Sequence, residues 1–260
     1  MSCYSLKSLY FSFCIFFVTN IGLGVSASAA SFLVSDLAGT WDFHTLVSGD
    51  SPQWTGWVYG SWDIGTDGSA SWTSITKSDG NSALPPDSQL TVSSTGAVTI
   101  SGTDFHGVMN AGKDMIAGVM TDTGGGYSLM ISSKRTGVLY DTSDFFGSWD
   151  FHTLVSGDSS QWTGWVYGSW DIGTDSSASW TSITKSDGNS ALPPNGYVLI
   201  SSSGSVTIPG TDFHGVMNAG KDMIAGVMTD DRGGYNLLMF TKKQKTISLV
   251  PQMLLLLLGY

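Results

Sequence analysis

Glutamate is missing from this sequence, and all twenty-one acidic residues are aspartate. Arginine occurs only at Arg135 and Arg232, and the two cysteines, Cys3 and Cys14, both fall within the first thirty residues. Each scarcity excludes something. Without Glu and with little Arg, helices lack their usual surface residues. Beyond residue 30 there is no thiol for a disulfide, a nucleophile or a zinc site, so any folded unit must hold together by burial alone. Acid outweighs base, with a net charge of −10. Phosphate contacts need clustered cations, so nucleic acid is not an expected partner. The aspartates stand mostly beside Gly, Ser and Thr, where a short carboxylate bonds turn backbone.

The two ends differ from the rest. Residues 1–30 read as a signal peptide: Lys7, an apolar run from Leu9 to Val18, then the small residues Ala27-Ser28-Ala29-Ala30 at a cleavage site. Asn20, Gly22 and Gly24 interrupt the run before the roughly 20 residues that a membrane span needs. Cleavage leaves ten Lys and Arg against twenty-one Asp, a net charge of −11. The expected location is extracytoplasmic, in the medium or at the cell surface, with no stable membrane span after cleavage. Residues 244–260 form an apolar tail broken by Pro251 and too short to cross a bilayer.

Between the ends lies a duplication. Trp41-Asp42-Phe43-His44-Thr45-Leu46 recurs from Trp149, an offset of 108 residues that holds without a gap from Asp36/Asp144 to Arg135/Lys243. Two modules, 36–135 and 144–243, are thus joined by a linker, 136–143. From Trp41 to Pro86 only Pro52/Ser160 and Gly68/Ser176 differ, whereas Asp87–Ala97 and Asn195–Ser205 diverge. A recent duplication produces such identity without any functional constraint.

Within a module the pattern alternates with period two, and Gly or Asp-Gly punctuates it at short intervals. Strands are expected over Thr40–Ser48, Gly56–Gly65, Ala70–Ser78, Gln89–Ser93, Ala97–Ser101, Phe105–Asn110, Met115–Thr121 and Tyr127–Lys134. Tight turns join several of them, as at Asp67-Gly68 and Asn110-Ala111-Gly112-Lys113. The reading is all-β, with two tandem antiparallel meanders, each closing into a small eight-stranded barrel that leaves no exposed edge. The alternative is a β-propeller in which each repeat supplies two blades.

Gly39-Thr40-Trp41, opening the first strand, resembles the Gly-x-Trp start of the calycin superfamily, the lipocalins, avidins and their relatives. The resemblance implies that Trp41 and Trp149 close one end of each barrel. It also implies that a cation late in the last strand, from Lys134 and Arg135 or Lys242 and Lys243, packs on that indole.

Each module carries five tryptophans. Trp41 and Trp72 suit a core, where indoles supply much buried area. Trp54 and Trp57 lie at a loop-to-strand junction, with Trp57 and Tyr59 on one strand face and Trp62 on the other unless a bulge at Gly60 resets the register. Trp54, Trp57, Tyr59 and Trp62, with Trp162, Trp165, Tyr167 and Trp170, are the candidate ligand-binding residues, grouped at a barrel end that holds a carbohydrate or a small apolar ligand. The histidines form two repeated pairs, His44/His152 and His106/His214, with no metal-ligand spacing, and His44 is expected to face outward or the rim. No metal and no cofactor is expected. Neither a Gly-x-Ser-x-Gly elbow nor a singled-out carboxylate pair points to catalysis, so a binding role is favoured over an enzyme. The other reading is a structural or surface-display repeat without a small ligand, in which duplication adds valency.

Overall fold

A computed structural model of the chain describes residues 31–49, 55–121, 126–157 and 163–243. The signal-peptide and tail readings concern residues outside these. Among the described residues no helix is long and apolar enough to cross a membrane.

The first module is a closed barrel of eight strands: β1 (Gly39–Ser48), β2 (Gly56–Ile64), β3 (Ser69–Lys77), β4 (Ser88–Val92), β5 (Ala97–Ile100), β6 (His106–Met109), β7 (Met115–Thr121) and β8 (Tyr127–Lys134). Each strand pairs antiparallel with the next, and β8 returns to β1 in a ladder from Trp41↔Lys134 to Ser48↔Tyr127. The sheet uses all its edges on itself, which removes the propeller alternative.

The second module repeats this with β9 (Gly147–Ser156), β10 (Gly164–Ile172), β11 (Ser177–Lys185), β12 (Gly196–Tyr197), β13 (Leu199–Ile200), β14 (Ser205–Thr207), β15 (His214–Met217), β16 (Met223–Thr229) and β17 (Tyr235–Lys242). Here β12 and β13 are two halves of the strand corresponding to β4, interrupted at Val198, and the barrel is nearly closed. Val198 N–H still donates to the Ser176 carbonyl at 3.1 Å, as Leu90 N–H donates to Gly68 at 2.8 Å. The most divergent stretch of the repeat therefore falls on a weakly paired strand, where β3 and β4 share only Ser69↔Gln89 and Ala70↔Ser88.

Alternation sorts the side chains. Trp41, Phe43, Trp62, Ile64, Leu90, Val98, Phe105, Ile116 and Met130 fill the first barrel, and the corresponding residues fill the second. The interior is packed with side chains. The Phe105 ring lies across Gly107 and Gly118, which face each other on β6 and β7, and a Cβ on Gly118 would sit 2.4 Å from that ring. Phe213 does the same over Gly215 and Gly226. The Asp-Phe-His-Gly and Ile-Ala-Gly-Val runs are thus matched to one aromatic ring.

The repeat also begins earlier than its sequence identity suggests. Phe32 and Tyr140, 108 residues apart, each pack into a barrel core against a left-handed glycine, Gly96 or Gly204. A lysine lies over each ring, Lys113 at 5.6 Å and Lys221 at 5.4 Å. Tyr140 belongs to the segment read from sequence as linker, yet it is a plug of the second barrel.

Candidate functional site

One end of each barrel is sealed. A 3-10 turn, Val34–Leu37, crosses it, and Trp41 Nε1–H donates to the Leu37 carbonyl at 2.6 Å. Lys134 Nζ lies 5.6 Å from the Trp41 ring and donates to the Asp36 carbonyl at 2.8 Å. Burial holds the Lys134 ammonium below its ordinary pKa, against the opposing pull of Asp36. Trp149, Phe145, Lys242 and Asp144 repeat this with bonds of 2.7 and 2.6 Å. The cations that follow do something else. Arg135 grips Asp42 with two bonds, 2.8 and 2.6 Å, and Lys243 meets Asp150 at 3.0 Å.

The remaining aromatics separate by strand face. Trp62 and Trp170 point into the barrels, where Trp62 stacks on Trp72 at 4.9 Å and Trp170 on Phe240 at 4.8 Å. Both are core residues with no open surface to offer a ligand. No bulge at Gly60 resets the register; the irregularity lies opposite Ser61/Trp62, where Thr73 is the extra residue on β3. Alternation along β2 is therefore intact, and Trp57 and Tyr59 stand on the outer wall of the barrel rather than at its end. Trp54 and Trp162 lie outside the described residues.

That outer wall is where the two barrels meet. Tyr59 stacks face to face on His214 at 3.8 Å and 5°. His44 Nε2 and His214 Nδ1 are 3.1 Å apart, and Trp57 Nε1–H donates to Thr229 Oγ1 at 2.8 Å. Around them Leu46, Trp57, Met115 and Ile131 from the first barrel bury against Ala225, Val227 and Leu237 from the second. His44 was expected to face outward or the rim; it does face outward from its barrel, but the second barrel covers it to 1 % exposure. Burial, then the neighbouring His214, pushes the His44 pKa well below that of a free imidazole. Burial lowers His214 as well, with Asp42 opposing. Two neutral rings sharing one N–H···N bond fit that site.

The same residues in the second barrel have no such cover. Trp165 and Tyr167 stack at 5.7 Å and 19°, and His152 and Tyr167 at 6.2 Å and 24°, nearly the geometry of Trp57, Tyr59 and His44. Yet Leu154, Trp165 and Tyr167 are each about half exposed. They edge a cleft of about 450 Å³ whose other walls are Leu129, Ile131, Leu237 and Met239. A second cleft of about 400 Å³ continues past Leu129 and Leu154 toward His106, Val119 and Tyr127. No Lys, Arg or Asp lines the first cleft, and its side-chain polar groups are those of His152, Thr153, Trp165 and Tyr167. Among the described residues no group of three or more His, Cys, Asp or Glu is placed to hold a metal ion.

Sequence reasoning missed the role of the histidine pairs and the apolar cleft walls. A signal was available: β1, β7 and β8 carry apolar residues on both faces (Leu46, Met115, Val119, Leu129 and Ile131 outward), as strands covered on both sides do.

No family model matches the chain, and no curated protein does. Solved structures give distant likenesses. A Nostoc punctiforme protein of unknown function from the DUF3598 family is 8 % identical over 82 % of this chain and 99 % of that one, with a TM-score of 0.25. Transferrin binding protein B of Neisseria meningitidis is 10 % identical over 72 % of this chain and 52 % of its own, with a TM-score of 0.31. The Burkholderia oklahomensis agglutinin is 14 % identical over 82 % and 97 %, with a TM-score of 0.18. At these scores none of them bears on the reading of the site.

Proposed function

We propose that the chain is an exported, non-enzymatic binding protein that takes a small uncharged ligand with a flat apolar face in the cleft between the barrels, on Trp165 and Tyr167. One observation carries this. The Trp–Tyr–His stack occurs twice; one copy is covered by protein and the other opens onto an apolar cleft. Stacked rings held on a rigid strand offer a ligand large contact area at low ordering cost. The absence of charge from the lining and its few polar groups favour a lipophile or aromatic compound over a sugar, which needs a denser set of hydrogen-bond partners. The packed barrel interiors argue against a ligand held within either barrel. Export rests on the character of residues 1–30.

Intrinsic tryptophan fluorescence of the whole chain, titrated with lipophile and glycan panels, tests the proposal. A saturable response is expected that disappears in Trp165→Ala and weakens at least tenfold in Tyr167→Ala. A response that both variants retain moves the site elsewhere, and preference for a glycan reverses the ligand class.

A further inference from the structure

The contact between the barrels joins unlike faces. The first barrel contributes chiefly β1 and β2, through His44, Leu46, Trp57 and Tyr59, together with Met115 of β7 and Ile131 of β8; the second contributes β15 to β17, through His214, Val216, Ala225, Val227, Thr229 and Leu237. Each face has a counterpart 108 residues away, identical in residue type at all of these positions except Ile131, whose counterpart is Met239. The counterpart of the first is His152, Leu154, Trp165 and Tyr167; that of the second is His106, Val108, Ala117, Val119, Thr121 and Leu129.

Both counterparts are largely open to solvent. Val216 and Val227 are 6 % and 0 % exposed, whereas Val108 and Val119 are 62 % and 54 %. His106, Ala117, Thr121 and His152 are likewise exposed. The chain therefore carries the two halves of this contact twice and joins them once. Two linked copies that meet through unlike faces necessarily leave one face of each kind over, and such a contact closes only through further copies.

We infer that the leftover faces are an interface for a second copy of this chain, with β9–β10 of one molecule docking on β6–β8 of the other. The internal contact is the template. It places Tyr167 on the His106 ring of the second copy, His152 beside the same imidazole, and the Trp165 indole N–H on the Thr121 hydroxyl. Apart from Met239 in the place of Ile131, the residues involved are ones already shown to fit one another, and no buried charge is left without a partner. Two molecules can exchange both contacts reciprocally, or chains can grow head to tail. Because every copy is strongly acidic, added salt screens their repulsion and strengthens the association. A small ligand and a second copy exclude each other at Tyr167, and different readouts separate them. Mass reports the second copy; fluorescence at concentrations where the chain is single reports the ligand.

The experiment is sedimentation equilibrium of the whole chain across concentration and salt, with Trp165→Ser to disable one face and Val119→Asp to disable the other. Both positions are exposed. Should either variant fail to fold by circular dichroism, Tyr167→Ser or His106→Ala replaces it. The wild-type mass is expected to rise with concentration above that of one chain, and each variant alone to associate at least tenfold more weakly. An equimolar mixture of the two variants still offers one intact face of each kind and is expected to form a pair of chains and nothing larger. A wild type that stays single at every concentration and salt, a variant that associates as the wild type does, or a mixture that stays single overturns the inference.

Discussion

Trp57 and Trp165 form a natural controlled experiment. Both sit in Gly-Trp-Val-Tyr-Gly on the second strand of a barrel, facing outward, so truncating either removes the same residue from the same local context. The difference between the two losses isolates the contact between barrels. Trp57 is 8 % exposed and Trp165 46 %, a gap of 38 points. For a side chain of about 250 Å² that gap is roughly 95 Å². At about 25 cal/mol per Å² it corresponds to about 2.4 kcal/mol. The bond from Trp57 Nε1–H to Thr229 adds about 1 kcal/mol. Trp57→Ala is therefore expected to cost about 3 kcal/mol more than Trp165→Ala. Urea unfolding, followed by far-ultraviolet circular dichroism so that the lost indole does not bias the signal, measures both at protein concentrations where the chain is single. In Trp57→Ala the two barrels are also expected to unfold in separate transitions, since the residue couples them. Equal costs would refute the reasoning, because they would mean that the second barrel does not cover Trp57.

The same contact is expected to depend on pH. His44 and His214 are held neutral by burial, so separated barrels bind protons that the joined ones do not. The contact is complete above about pH 6.5 and weakens as pH falls below it; red-shifted tryptophan emission between pH 7 and 5 reports it, and Gln at both positions should flatten the change. Arg135→Ala strips both bonds from the largely buried Asp42 and is expected to cost about 2 kcal/mol. Lys243→Ala breaks a half-exposed pair and should cost under about 0.5 kcal/mol, both variants being measured by urea unfolding; equal losses would contradict the difference in burial. Ser132 is fully buried in the first barrel with no protein partner for its hydroxyl, so Ser132→Ala is expected to raise stability by about 1 kcal/mol. A loss of that size would instead reveal an ordered water on the hydroxyl. Gly118→Ala drives a methyl into the Phe105 ring and is expected to cost at least about 2 kcal/mol by urea unfolding.

The barrel was legible because alternation along a strand is a local property. Trp41 and Phe43 point inward for the same reason that Asp42 and His44 point outward, and the turns at Asp67-Gly68 and Asn110–Lys113 set the register of the hairpins. The sealed end was implied by the calycin resemblance at Gly39-Thr40-Trp41, and of the two cations offered in each module Lys134 and Lys242 are the ones over the indole. The location of the aromatic site was not legible, for a physical reason. Period two tells which wall of a barrel a residue stands on, but not what covers that wall from outside. Trp57 and Trp165 share every neighbour within reach along the chain, and only packing between barrels makes one buried and the other open. The division of 136–143 as linker missed Tyr140 because a plug needs no sequence identity with its counterpart Phe32, only an aromatic ring above a left-handed glycine.

Duplication has therefore produced two environments from one sequence, and the asymmetry is a consequence of the unlike faces through which the barrels meet. Had the barrels met through like faces about a true two-fold axis, each Trp–Tyr–His stack would be equally covered and no open copy would remain. They meet instead chiefly with β1 and β2 of one against β15 to β17 of the other, so the stack on β2 is spent on internal cohesion while that on β10 is released. A module standing alone would expose both faces. The repeat thus hides one aromatic platform to present the other beside an apolar cleft, and near-identity between the copies is what makes the presented platform's chemistry readable from the hidden one. What His214 and Thr229 do for Tyr59 and Trp57, stacking a flat ring on the phenol and accepting from the indole, is the chemistry on which the proposed site at Tyr167 and Trp165 rests.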